Sequence, residues 1–142
     1  MGWALLGLLD VVHLLDGVGT GEVADLAGEV MERLAATQSF DGNWTAVLDH
    51  PDADTETSTA AFFVTAALHP AADGLFAFPR AVLESAKGAC HRALSSDGTY
   101  TGVTEDVLPN WDIKTYEHCP TEPSAWAQGA AVRAFAALAR QR

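Results

Sequence analysis

Five stretches of the chain carry helical periodicity, and they alternate between two kinds. The first, Trp3–Asp16, reads WALLGLLDVVHLLD and is apolar nearly all round. A helix of that pattern is buried on most sides, and Gly17 and Gly19 are placed to end it. The second starts near Thr20, an N-cap candidate with Glu22 and Asp25 in or near the first turn. Its Val23, Leu26, Ala27, Val30, Met31 and Leu34 fall on one stripe, and acidic residues take the other face. The third, from about Thr57 to Leu68, is again apolar nearly all round, and Pro70 ends it. The fourth begins around Phe78-Pro79 and has one stripe, Val82, Leu83, Ala86, Cys90, Ala93 and Leu94. The fifth runs from Pro123-Ser124 to the C-terminus with Trp126, Ala127, Ala130, Ala134, Phe135 and Leu138 apolar.

The order is buried, amphipathic, buried, amphipathic, buried. Two concentric layers of antiparallel helices produce that alternation, whereas a four-helix bundle makes every helix amphipathic. Asp41-Gly42-Asn43-Trp44-Thr45-Ala46-Val47 also matches Asp97-Gly98-Thr99-Tyr100-Thr101-Gly102-Val103. Each copy follows an amphipathic helix and precedes a buried one. Helical arrays of this kind need three or more units to bury a continuous core. The pattern starts at a buried helix with no partner before it, which reads as one domain over residues 1–142 that is part of a larger array or ring. The stretches between helices, 39–56 and 95–122, read as turn-rich loops.

Composition narrows the function. The net charge is −11, with 8 Lys+Arg against 19 Asp+Glu, and only two of the 142 residues are Lys. Nucleic acid needs clustered cations, so neither it nor an anionic membrane surface is an expected partner. The 26 alanines favour helix. Cys90 and Cys119 lack metal or disulfide-scaffold spacing and read as free thiols. No targeting segment is visible, so the cytoplasm is the expected compartment. No metal and no cofactor is expected: His50, Asp52 and Asp54 lack the bidentate acid and mid-loop Gly of a calcium loop.

Chemistry concentrates in the two loops. Trp44, Asp49, His50, Asp52, Asp54 and Glu56 lie in the first. Tyr100, Glu105, Asp106, Trp111, Asp112, Tyr116, Glu117 and His118 lie in the second. Both lead into buried helices, so both open on the same end. Aromatic rings stack on sugar faces, and carboxylates bind hydroxyls or move protons. Trp44 and Tyr100 occupy equivalent repeat positions, which favours anchors packed on the helices. Asp49 and Glu56 flank the entry to a buried helix and are the better chemical candidates.

Four segments resemble the unsaturated uronyl hydrolases, glycoside hydrolase families 88 and 105. Gly2-Trp3 looks like the end of their R-G-x-G-W segment, and Asp41-Gly42-Asn43-Trp44 through Val47-Leu48-Asp49 like their G-x-W-x-x-V-L-D loop. Glu56-Thr57-Ser58-Thr59-Ala60 resembles their E-T-S-x-T-A helix start, and Pro123 to Ala130 their final P-x-x-W-x-Q-G-A helix. The resemblance spans nearly the whole chain but only the C-terminal part of the family's length. It implies an all-α fold, part of an (α/α)6 barrel. It further implies a substrate, an oligosaccharide bearing an unsaturated uronic acid at its non-reducing end. An Asp general acid protonates the C4=C5 double bond, water adds at C5, and the hemiketal collapses. That acid belongs to the family's N-terminal half, so no residue here inherits it, and Met1 stands near where the motif's Arg would be. The expected substrate-binding set is Trp3, Asp49, Glu56, Ser58, Trp111 and Trp126.

Three functions follow as expectations. One is part of such a hydrolase, inactive alone, with exposed apolar surface that pairs with an absent half or a second copy. Another is a small complete enzyme using Asp49 and Glu56 as acid and base. The last is a carbohydrate-binding or interaction module that depends on Trp111 and Trp126.

Overall fold

The computed structural model describes residues 1–16, 18–105 and 109–141. Gly17, expected to end the first helix, and Asp106, a candidate rim carboxylate, lie outside the described residues. Helices run over Gly2–Leu14 (α1), Gly21–Thr37 (α2), Ser58–Ala67 (α3), Arg80–Ala93 (α4), Lys114–Glu117 (α5) and Ala125–Ala139 (α6). The five long ones are those expected from periodicity. The short α5, a 3-10 turn over Pro70–Ala72, and the strand pair β1 (Trp44–Thr45) and β2 (Thr55–Glu56) fall in stretches read as loop.

Two layers form, as the alternation requires. α3 packs on α1 and α6 in the inner layer, and α2 and α4 back α1 and α3 from outside. The layers differ in chemistry. α3 buries nearly every side chain, including Phe62, Phe63 and Val64. α2 and α4 bury single stripes, Ala27, Val30, Met31 and Leu34 in α2, and Ala86, Ala89, Cys90 and Ala93 in α4. The buried face of α6 is wholly alanine, at 127, 130, 131, 134 and 137, which keeps its contact surface smooth and free of side-chain entropy loss.

One expectation needs correction. α1 and α6 are apolar, yet neither is covered all round. Trp3 is 62% exposed, Leu14 80% and Val132 60%. α3 has inner neighbours on both sides, whereas α1 and α6 each have one, so an apolar flank of each stays open.

The sequence repeat is a structural repeat. Ser39 N–H donates to Asn43 O and Ser95 N–H to Thr99 O, both at 2.9 Å. Asp41 and Asp97 each accept from the amide two residues on. Gly42 and Gly98 have φ of 85° and 87°, the left-handed conformation that glycine adopts without steric cost. The aromatic that follows is the anchor in both copies: Trp44 Nε1 donates to Leu34 O at 2.8 Å, and the Tyr100 hydroxyl donates to Thr57 O at 2.9 Å, both rings being buried. Gln128 of α6 then grips the second turn, its Nε2 donating to Gly98 O and its Oε1 accepting from Tyr100 N–H. The first loop is thus fixed to the outer helix α2, and the second to the starts of the inner helices α3 and α6.

Candidate functional site

Trp3, Ser58 and Trp126 all stand in the first turn of an inner helix, and all three line one cleft. The inner helices therefore run parallel and present their N-terminal ends together. The cleft encloses about 220 Å³. Thr45, Ala46 and Leu48 from the first loop and Thr104 from the second complete its wall, so the two loops do share an end. Trp3 lies 5.1 Å from the Phe62 ring and 5.7 Å from the Trp126 ring, tilted 42° and 48°. That makes an aromatic corner with its outer face open.

Glu56 is 8% exposed and lines the same cleft. One carboxylate oxygen accepts from Ser58 N–H at 3.0 Å, and the other from Thr59 N–H and the Thr59 hydroxyl, both at 2.9 Å. These are amides that a helix start leaves without intrahelical partners. The carboxylate also sits at the positive end of the helix dipole. Its first work is thus to hold the start of α3, the wall on which the cleft depends.

Four of the six residues expected from sequence come together: Trp3, Glu56, Ser58 and Trp126. Asp49 and Trp111 do not line the cleft and stand exposed on the loops. Phe62, which the sequence reading did not single out, is the ring under Trp3. Its signal was its place one helical turn after Ser58.

A second groove of about 450 Å³ continues from Trp3 and Trp126 along α1 and α6. Gly7 and Gly129 give it a smooth middle, and Asp10 and Arg133 lie further along. Asp10 and Arg133 follow the two tryptophans by seven residues, hence on the same helix faces. Arg133 reaches Asp10 at 3.4 Å and His69 Nε2 lies 3.1 Å from the same oxygen. His69 Nδ1 accepts the Ala71 amide, so the ring proton is on Nε2 and is donated to Asp10. Burial lowers the His69 pKa, and Asp10 offsets part of that. The exposed His13 stands edge-on to His69 at 5.5 Å. Larger hollows of about 610 and 880 Å³ lie over α2 and at the opposite end of α3 and α6, and neither holds any of the six expected residues.

Neither thiol is poised as a nucleophile. Both are free and buried, and burial pushes Cys90 up to about 11 and Cys119 upward. No group of three His, Cys, Asp or Glu side chains able to hold a metal ion occurs among the described residues. No helix among them is long and apolar enough to cross a membrane.

Doubled helical layers, parallel inner helices and an aromatic cleft at their N-terminal ends place the chain with the (α/α)6 barrel proteins. The family model for Glycosyl Hydrolase Family 88 matches residues 1–141, and the chain belongs to that family. Among solved structures, a Klebsiella pneumoniae protein described as a possible member of the GH105 family superposes with a TM-score of 0.87 at 20% identity, over 99% of this chain and 38% of that one. A counterpart from Salmonella enterica gives 0.85 and 20% over the same shares. A family 88 glycosyl hydrolase from Bacteroides vulgatus gives 0.79 and 22%, over 98% of this chain and 41% of its own. No curated protein matches. The chain thus spans about 38% of the length of the first of these structures.

Proposed function

We propose that the chain is the C-terminal portion of an (α/α)6 barrel and supplies the aromatic side of a carbohydrate site. The polypeptide that completes the barrel covers the open flanks of α1 and α6. The sugar is an oligosaccharide ending in an unsaturated uronic acid, cleaved by hydration of its C4=C5 double bond. The general-acid Asp is contributed from outside these residues. The observation that carries this reading is the corner of Trp3, Phe62 and Trp126 beside Glu56 and Ser58 at the N-terminal ends of the inner helices. A ring face open to solvent suits a pyranose, and a serine hydroxyl suits its polar edge.

The reading in which Asp49 and Glu56 form a complete acid–base pair has less support. Both Glu56 oxygens are engaged by the start of α3, and Asp49 lies outside the cleft. A binding module without turnover keeps the same cleft but not a dependence on Trp111, which is fully exposed away from it.

The test supplies the isolated chain with unsaturated glucuronyl and galacturonyl disaccharides. Tryptophan fluorescence reads binding, and loss of the double bond's ultraviolet absorbance reads turnover. The expected outcome is weak binding without turnover, with Trp126→Ala weakening binding and Trp111→Ala leaving it intact. Turnover by the chain alone overturns the placement of the acid elsewhere.

A further inference from the structure

The two rim loops are joined by a crossed pair of imidazole–carboxylate contacts. The first loop supplies His50 and Asp54, and the end of α5 with the next residue supplies Glu117 and His118. His50 Nδ1 lies 2.5 Å from Glu117 Oε1, and His118 Nδ1 lies 3.5 Å from Asp54 Oδ2. Between them the Asp54 amide donates to the Glu117 carbonyl at 2.7 Å. The joined loop is also the cleft wall. Thr45, Ala46 and Leu48 line the cleft, and the Ala46 amide donates to the Asp54 carbonyl at 2.8 Å. A shift of Asp54 is therefore passed through a single residue, from its amide to its carbonyl, to the wall beside Glu56.

We propose that the His50–Glu117 contact, backed by the neighbouring His118–Asp54 contact, forms a proton-controlled latch that fixes the cleft-wall loop while the His50 imidazole is protonated and loosens it as that proton is lost. The latch makes sugar capture at the cleft pH-dependent, and only that consequence rests on the carbohydrate reading above.

The surroundings fit a latch of this sign. The Glu117 hydrogen bond holds the His50 pKa above its ordinary value, partial burial opposes it, and the charges of Glu117 and Asp49 support it. Asp52 lies on the same loop, and Asp54 and Glu105 both stand near the Cys119 thiol. The cation on α5 is Lys114, at its exposed first position. A histidine whose folded pKa is raised stabilises fully below its unfolded pKa of about 6.5 and loses that contribution as pH rises through the folded value.

The experiment follows amide hydrogen exchange by NMR on the isolated chain, without sugar, from about pH 5.5 to pH 8.5, the range in which histidine charge changes. Rates are corrected for intrinsic exchange, and the histidine rings are titrated in the same samples. Protection of the Ala46 and Asp54 amides is expected to fall severalfold with the midpoint of His50. His50→Gln is expected to leave that protection low and flat with pH, and Glu117→Gln to move the His50 midpoint down. Protection that stays constant while His50 titrates, or a wild-type pH profile in His50→Gln, overturns the latch. Should His50→Gln fail to fold, the wild-type profile and Glu117→Gln decide. Exchange needs no ligand, so its failure leaves the carbohydrate reading standing, and failure to bind sugar leaves the latch standing.

Discussion

At the scale of single residues, Glu56 shows how a cleft residue can serve the fold first. Its side chain takes three hydrogen bonds from the first turn of α3, in a buried position. Removing it strands two amide donors at a helix start, one buried and one part-buried. Glu56→Ala should therefore cost about 2–3 kcal/mol, the range for losing charged hydrogen bonds in a buried site. Asp49→Asn, at an exposed position, should stay within about 0.5 kcal/mol. Urea unfolding of the two variants against wild type measures both. Equal losses would mean that Glu56 is not the support of α3. The sequence placed Glu56 at the helix entry but not its role, because both readings, rim acid and helix support, ask for a carboxylate at that spot. Trp44 and Tyr100 were legible as anchors, since a repeat preserves packing positions and the structure buries both.

At the scale of elements, the two turns of the repeat are a matched pair that differ in surroundings. Gly42 and Gly98 share φ, but a Cβ on Gly42 would stand 2.3 Å from the Ser85 carbonyl oxygen, whereas one on Gly98 meets nothing within 4 Å. Gly98→Ala should then cost only the left-handed backbone term, about 1–2 kcal/mol. Gly42→Ala should add a further 1–3 kcal/mol or so, because the α4 backbone must move. Chemical denaturation of the pair checks the difference, and equal losses would refute it. The long helices were readable because ten or more residues carry enough periods of 3.6 to show a stripe. β1, β2 and α5 were not, since two and four residues hold no period, and they form because the loops are pinned at Trp44 and Glu117. An all-apolar helix pattern implies burial on all sides. That holds for α3, which has neighbours on both flanks, and fails for α1 and α6, which lie at the two edges of the inner layer.

At the scale of the molecule, those edges govern how the chain behaves on its own. Trp3, Val11 and Leu14 on α1 and Val132 on α6 are exposed apolar side chains. Exposed patches of this kind mark surfaces that associate. Against them stands a net charge of −11 on every copy, so two copies repel as they approach. The balance is salt-dependent, because screening shortens the repulsion to about 8 Å at physiological ionic strength and about 3 Å at 1 M, while burial of apolar surface is unaffected by it. The isolated chain should therefore self-associate, and more strongly as salt is added. Sedimentation velocity across a salt and concentration series reads this directly. Leu14→Glu with Val132→Glu should hold the chain monomeric at every salt concentration. The melting temperature should change little, since neither side chain is part of the core. Association that weakens with salt would instead assign the contact to charge pairs, and a monomer under all conditions would mean that the flanks of α1 and α6 do not need a partner. A polypeptide carrying the remaining barrel helices should compete with self-association for the same two flanks. The double variant should then lose that partner along with its own copies.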